Sequence, residues 1–94
     1  MRIARRFVVR GRVQGVGFRA FVQDAATREG VSGWVCNRFD DGVEALVEGE
    51  SGAVAKVEDA IRRGPRHAQV ERVTVDIEEP EGGDAPFRII SRPL

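Results

Sequence analysis

Residues 11–19, Gly-Arg-Val-Gln-Gly-Val-Gly-Phe-Arg, combine the residue types that can bind a phosphate group. Three of the first seven are glycines, which let the backbone turn sharply so that successive N–H groups point at one place. Such donors favour an anion, most often phosphate, when a helix begins directly after them. Arg19 would lie in the first turn of that helix, where its planar guanidinium can bind two phosphate oxygens. The alternative is a plain strand-to-helix turn with Arg19 on the surface.

Two common phosphate-binding motifs do not fit this segment. A P-loop needs Gly-Lys followed by Ser or Thr, and this loop ends in Gly-Phe-Arg. A dinucleotide-binding fingerprint needs an acidic residue that closes a second parallel strand about 20 residues further on. No acidic residue stands in that place, so any phosphate site here is of another kind.

A second polar residue, Asn37, stands at the end of a predicted strand that begins at Val31. An asparagine amide can both donate to and accept from one water molecule. The alternative is that Asn37 bonds the turn that follows it, as asparagine often does at strand ends. If the first two strands belong to one sheet, Asn37 can reach the pocket formed by the glycine-rich loop.

The hydrophobic pattern predicts the elements that position these residues. Apolar residues alternate with arginines before Gly11, which is typical of a half-buried strand, and a helical pattern runs from Phe18 to a stop at Gly30. Strands are predicted at residues 3–13, 31–37, 43–48, 70–78 and 87–91, and a second helix at 52–63. Ser51 is expected to cap that helix, and Ile77 to face the core. This β-α-β-β-α-β order with a short extra C-terminal strand predicts an α+β, ferredoxin-like sandwich, in which two helices cover one face of an antiparallel sheet.

Length and composition limit the classes of protein that this chain can be. A chain of 94 residues is expected to form a single domain spanning residues 1–94. No apolar run exceeds three residues, so neither a membrane span nor a signal peptide is predicted, and the cytoplasm is the expected compartment. The only cysteine, Cys36, and the only histidine, His67, exclude an internal disulfide and a metal site built from clustered Cys or His.

The net charge is zero, but the charges are unevenly distributed along the chain. Residues 1–38 carry eight arginines against two acids, a balance of +6. Residues 39–94 carry seven basic residues against thirteen acids, a balance of −6. The excess of positive charge in the first third predicts an anionic ligand there.

Two segments together resemble the signatures of the acylphosphatase family. Residues 11–19 match the pattern G-x-V-Q-G-V-x-F-R, and residues 33–37, Gly-Trp-Val-Cys-Asn, match G-W-V-x-N. The resemblance extends over the whole chain in length and in the order of elements. It implies a ferredoxin-like fold and a hydrolase that cleaves the carboxyl-phosphate bond of acyl phosphates, releasing a carboxylate and inorganic phosphate. It also implies that neither a metal nor an organic cofactor is used.

The resemblance assigns roles by position. Arg19 matches the family's catalytic arginine, which binds the substrate phosphate, and Asn37 matches its catalytic asparagine, which positions the attacking water. The residues that match the phosphate cradle, acting through backbone N–H groups, are Gln14, Gly15, Val16, Gly17 and Phe18.

The chain departs from the family pattern at two places near the site. Cys36 stands where the family often has a basic residue, which is expected to weaken electrostatic attraction of the substrate. Asp41 stands where the family usually has a turn glycine, and Gly42 follows it. Because the spacing from Asn37 to Val43 is unchanged, we expect an altered turn and no shift of the strand.

Two other function classes compete with the acyl phosphate hydrolase. An RNA-binding module of the same fold would need aromatic residues on the central strands for base stacking, and Phe7 and Trp34 are the only candidates; zero net charge also disfavours nucleic acid. A catalytically weak regulatory domain that binds an anion or carbamoyl phosphate is the second alternative. It is disfavoured by Arg19 and Asn37 being in place and by the absence of further domains before Leu94. The expected partner is a small acyl phosphate, with no nucleic acid and no membrane, and a monomer is expected.

Overall fold

The computed structural model of the chain describes residues 1–91 and 93. It contains the predicted elements in the predicted order, and their ends lie within two residues of the expected positions. The elements are β1 (Arg2–Arg12), α1 (Phe18–Glu29), β2 (Ser32–Asn37), β3 (Val43–Glu50), α2 (Ser51–Arg63), β4 (Gln69–Glu78) and β5 (Arg88–Ile90). The ferredoxin-like α+β fold predicted from the sequence is therefore confirmed.

The strands form one sheet in the order β4-β1-β3-β2-β5. Neighbours among the first four strands are antiparallel, whereas β5 runs parallel to β2. The expectation of an antiparallel sheet is thus wrong for the last strand, and the sheet is mixed. The reason is topological: the chain reverses direction after β4 and crosses to the opposite edge, so that β5 points the same way as β2.

The register of the sheet brings the C-terminal ends of β1 and β2 to the same end of the sheet. Val43, the first residue of β3, pairs with Val9 of β1 on one side and with Asn37 of β2 on the other. The loop that leaves β1 therefore starts close to Asn37. The two candidate segments lie close together because only one strand, β3, lies between β1 and β2.

Both helices pack on the same face of the sheet, where the core lies. The sheet contributes fully buried apolar side chains such as Phe7, Val35 and Val47, and the helices contribute Val22 and Ile61. Burying such a side chain stabilises the fold by about 1.5–3 kcal/mol. The core therefore fixes the strands on which the site residues stand.

Two predicted details are wrong. Ile77 is 80% exposed and does not face the core, because it lies near the end of the edge strand β4, beyond the apolar residues Val73 and Val75 that pack against the core. Ser51 does not cap α2. It is the first helical residue, Glu50 occupies the N-cap position, and the side chain of Glu50 makes no capping hydrogen bond.

A buried carboxylate holds the segment between β4 and β5. The side chain of Glu48 on β3 accepts hydrogen bonds from the backbone N–H groups of Glu81 at 2.9 Å and Gly82 at 2.7 Å, and from Nε of Arg2 at 2.7 Å. These bonds lower the pKa of Glu48 below its ordinary value, and the bond from the Glu81 N–H contributes most. The contact fixes the approach of the chain to β5 on the far edge.

Acid is expected to release this segment. Because folding lowers the pKa of Glu48, the ionised carboxylate stabilises the fold fully above the pKa of a free glutamate, about 4.3. That stability is lost as the pH falls through the lower pKa of the folded state. Protection of the Glu81 and Gly82 amides from hydrogen exchange should therefore drop as the pH falls below about 4.3 and through the lower pKa of the folded state.

The matched control is Glu58→Gln, which removes a carboxylate from α2 and should leave this pH response in place. Glu48→Gln should abolish it. Equal protection of the two amides across the acid range, or an unchanged response in Glu48→Gln, would contradict the assignment.

Candidate active site

The loop between β1 and α1 presents a row of open backbone donors. Gly15 has φ +74° and Gly17 has φ +77°, the left-handed region that glycine adopts at least cost. Phe21 is the first helical residue whose backbone N–H donates a hydrogen bond to a carbonyl oxygen, that of Gly17, at 3.1 Å. Among the described residues, no acceptor bonds the N–H groups of residues 15–20.

The start of α1 adds a positive electrostatic potential to these donors. Gly17 is the N-cap residue, it provides no side-chain cap, and the first turn contains no acidic residue. The open N–H groups at a helix start carry about half a positive charge. Loop and helix end together form a site suited to an anion.

Arg19 and Asn37 line one pocket with this loop. The pocket has a volume of about 230 Å³, several times the roughly 30 Å³ that one water occupies in the liquid. It is lined by Val13, Gly15, Gly17, Phe18, Arg19, Ala20, Asn37 and Ile89. The structure therefore brings together the two side chains that the sequence separated by 17 intervening positions.

Among the described residues, no carboxylate partners Arg19, and the same holds for Arg5, Arg12 and Arg28, whereas the other four arginines of residues 1–38 are paired. Arg2, Arg6, Arg10 and Arg38 each form a salt bridge, with N–O distances that include 2.7 Å from Arg2 to Glu48. Within residues 1–91 and 93, the half-buried Arg19 side chain forms neither a salt bridge nor a hydrogen bond. Carboxylates thus neutralise much of the positive charge that the sequence places in residues 1–38. The guanidinium of Arg19 is not neutralised in this way and is available to a ligand in the pocket.

Asn37 does not bond the turn that follows it. Its half-buried side-chain amide forms no hydrogen bond with any residue that the structure describes. The turn is closed instead by the N–H of Arg38, which donates to the carbonyl of Gly42 at 2.9 Å, and by the side chain of Gln14. Both ends of the Asn37 amide are available to a molecule in the pocket.

The residues that line the pocket overlap in part with those that the sequence assigned to the site. Gln14 and Val16 are absent from the pocket wall, where Gly15, Gly17 and Phe18 are present. Ile89, which sequence reasoning missed as a site residue, contributes an apolar wall from β5. Its only signal in the sequence was an alternating apolar pattern, which could not show that β5 pairs with β2.

Comparison with known proteins shows to which family the chain belongs. The family model described as Acylphosphatase matches residues 5–89. The chain belongs to the acylphosphatase family. A curated acylphosphatase of Roseiflexus sp. (strain RS-1) is 50% identical over 82 residues, which are 87% of this chain and 88% of that protein. The chain is therefore an acylphosphatase hydrolase, as its two signature segments predicted.

Solved structures of the family share the fold closely. The acylphosphatase from Bacillus subtilis superimposes with a TM-score of 0.89 at 39% identity, covering 94% of this chain and 98% of that one. Full-length HypF, in a phosphate- and nucleotide-bound form, matches with a TM-score of 0.87 at 30% identity, covering 97% of this chain but 12% of that one. An acylphosphatase-like unit thus also occurs within a much larger protein.

The two departures from the family pattern leave the pocket in place. Asp41 takes the left-handed conformation itself, with φ +72°, which aspartate tolerates better than most residues. Asn37 still pairs with Val43, so the strand is not shifted. Asp40, the residue before Asp41, accepts hydrogen bonds from Arg38 and Arg10. These bonds lower the pKa of Asp40 below its ordinary value, and the bond from Arg38 contributes most.

Cys36 lies on the opposite face of the sheet from Asn37, because successive residues of a strand alternate between faces. It is fully buried and pairs with Glu44 of β3. Burial, followed by the charge of Glu44, raises the pKa of the Cys36 thiol above its ordinary value, which keeps the group protonated at neutral pH. Cys36 therefore does not supply a nucleophile to the pocket.

The described part of the chain contains neither a metal cluster nor a membrane-spanning helix. Residues 1–91 and 93 contain no group of three or more His, Cys, Asp or Glu side chains placed to hold a metal ion. None of the helices described is both long and apolar enough to span a membrane. His67 is exposed in the connection between α2 and β4.

Proposed function

We propose that the pocket hydrolyses acyl phosphates by holding the phosphoryl group between the loop and Arg19 while Asn37 positions the attacking water. The observation that carries this proposal is the shared pocket: open N–H groups, a guanidinium and an amide all line one cavity. These are the groups that a reaction needs when charge must be spread and a water must be aimed. The family membership gives the reaction class.

The loop and Arg19 are proposed to bind the phosphoryl oxygens. The N–H groups of Gly15, Val16, Gly17 and Phe18 would donate to the oxygens, with the backbone of Gln14 leading into the cradle. Arg19 would bind two oxygens through its planar guanidinium. As bonds to phosphorus change, charge on these oxygens changes too, and fixed donors in a partly closed pocket stabilise it without rearranging.

Asn37 is proposed to hold the water in line with the bond that breaks. Its amide oxygen accepts a hydrogen bond from the water, and its N–H group can donate to it. The water oxygen forms a bond to phosphorus while the bond from phosphorus to the acyl oxygen breaks. The electron pair of that bond leaves with the carboxylate, which is a stable leaving group.

The proton of the water is proposed to pass to the substrate's own phosphate oxygens or to the departing carboxylate. Among the described residues that line the pocket, none is a His, Asp, Glu, Cys or Lys, so no side chain of ordinary basicity is present. An acyl phosphate needs little proton transfer early, because its leaving group is already a weak base. A pH–rate profile governed by an enzyme base near neutrality would count against this route.

The surroundings proposed for the reaction follow from the same reasoning. We propose that residues 1–94 act as one domain, a monomer in the cytoplasm, with a small acyl phosphate as substrate and inorganic phosphate as product. Nucleic acid is not proposed as a partner, because the net charge is zero and two of the arginines, Arg6 and Arg38, are engaged with the carboxylate of Glu44. No membrane partner is proposed.

A second candidate function is favoured by the similarity to HypF. In that case the pocket would bind an anion or carbamoyl phosphate and hydrolyse it weakly, as a regulatory domain. Binding and hydrolysis separate the two candidates, because both would bind inorganic phosphate and only the hydrolase would turn over substrate quickly.

The test is hydrolysis of benzoyl phosphate by the purified chain in EDTA, with inorganic phosphate as a competitive inhibitor. We expect rapid turnover that EDTA does not reduce, since Arg19 and the loop supply the charge that a metal would otherwise provide. Loss of activity in EDTA and its return with Mg²⁺ would overturn the metal-free mechanism. A folded chain that binds phosphate without turnover would favour the regulatory alternative.

A further inference from the structure

We infer that Gln14 is a positioning residue whose side chain sets the distance between the phosphate loop and Asn37. The inference rests on the proposed function, and it differs from the assignment of Gln14 to the phosphate cradle. Gln14 stands directly before the open donors of the loop. Its side chain reaches across to the turn that begins directly after Asn37.

The contact consists of two hydrogen bonds to backbone carbonyls. Nε2 of Gln14 donates to the carbonyl oxygen of Arg38 at 2.8 Å and to that of Gly42 at 2.9 Å. Both partners are acceptors, so only the NH₂ end of the amide can serve them, and its two hydrogens are both used. The side chain therefore has no donor left for a phosphate, which leaves only its backbone for the cradle.

The carbonyl of Gly42, one of these two acceptors, also closes the turn. The Gly42 oxygen also accepts the N–H of Arg38 at 2.9 Å, so Gln14 bonds both ends of the turn that reverses the chain from β2 to β3. The paired residues Asn37 and Val43 lie directly outside these ends. A shift of the turn relative to the loop would move Asn37 relative to Arg19.

This geometry predicts a split between binding and chemistry. The loop donors and Arg19 bind the phosphoryl group by themselves, so loss of the brace should change phosphate affinity little. In-line attack requires the water to sit within a fraction of an ångström of its place, and a misplacement of about 1 Å can cost about 100-fold in rate. Gln14 should therefore matter to kcat and not to phosphate binding.

The test variant is Gln14→Met, which keeps the length of the side chain and removes both donors. We expect kcat for benzoyl phosphate to fall by about 10- to 100-fold, with the inhibition constant of inorganic phosphate changed by less than about threefold. In an Asn37→Ala background the same substitution should lower kcat by less than about threefold, because the residue that it positions is gone. Gln14→Asn, which keeps the amide on a shorter stem, is the second variant and is read in the same way if Gln14→Met does not fold.

The matched control is Gln23→Met on α1. Nε2 of Gln23 also donates to a backbone carbonyl, that of Phe87 at 3.3 Å, but at a distance from the turn. Its kcat should stay within about twofold of the wild type. The inference is overturned if Gln14→Met keeps wild-type kcat, if its phosphate inhibition weakens in step with kcat/KM, or if its effect is undiminished without Asn37. An inactive wild type overturns the proposed function and this inference together, whereas an active wild type with an indifferent Gln14 overturns this inference alone.

Discussion

Replacing Arg19 with glutamine is expected to lower kcat/KM for benzoyl phosphate by about 1,000-fold or more, the scale seen when an arginine that stabilises a transferring phosphoryl group is lost. The guanidinium is the only charged side chain among the described residues that line the pocket. Glutamine keeps much of the length but removes both the charge and the planar pair of donors. The inhibition constant of inorganic phosphate should rise as well, because ground-state binding uses the same group.

Stability should move in the opposite direction. Arg19 is the second residue of α1, where a positive charge is unfavourable by about 0.3–1 kcal/mol. Arg19→Gln should therefore leave the free energy of unfolding unchanged or raise it by a few tenths of a kcal/mol, as measured by urea titration. An inactive yet more stable variant separates a functional role from a structural one.

Two controls sharpen the Arg19 result. Arg28→Gln removes an arginine from the last turn of the same helix, outside the pocket, and should retain wild-type kinetics. Arg19→Lys keeps the charge but loses the planar fork, so it should recover only part of the activity. Wild-type kcat/KM in Arg19→Gln would contradict the proposed role.

Replacing Asn37 with alanine is expected to lower kcat by about 100- to 1,000-fold, the range found when one preorganised polar group is removed from a reacting centre. The loop donors and Arg19 remain, so the inhibition constant of inorganic phosphate should stay within about threefold of the wild type. Because the amide forms no hydrogen bond with a described residue, the free energy of unfolding should change by less than about 0.5 kcal/mol.

The two variants should differ in their effect on phosphate binding, and this difference distinguishes the two proposed roles. Arg19→Gln should weaken both phosphate binding and turnover, whereas Asn37→Ala should weaken turnover alone. Ser32→Ala, a substitution at the opposite end of β2, is the matched control for Asn37 and should keep wild-type kcat. Loss of phosphate inhibition in Asn37→Ala, or an unchanged kcat, would contradict the role of positioning water.

Local patterns in the sequence were enough to predict the elements of this fold. Alternation in β1 and helical spacing after Phe18 place both flanks of the loop, because they depend on neighbours in the chain. The meeting of Arg19 and Asn37 followed from the order of elements together with the two signature segments. Their shared pocket confirms that prediction of proximity, while their roles stay predictions.

Long-range contacts could not be predicted in the same way. The parallel pairing of β5 with β2 depends on where the chain crosses the sheet after Glu48 binds the segment, and no local pattern encodes it. The wall formed by Ile89 follows from that pairing. The bonds of Gln14 to the turn at residues 38–42 likewise join segments that are distant in the sequence. The exposure of Ile77 near the end of the edge strand β4 could not be predicted either, since its alternation with polar neighbours is identical to that of a covered strand.

Attack of water at phosphorus is tested most directly by hydrolysis of benzoyl phosphate in ¹⁸O-labelled water, followed by mass spectrometry of both products. Water that Asn37 aims at phosphorus, in a phosphoryl group held by Arg19 and the loop, must leave its oxygen in inorganic phosphate. We predict one labelled oxygen per phosphate and unlabelled benzoate. Label in the benzoate would mean attack at the carbonyl carbon, and it would contradict the account.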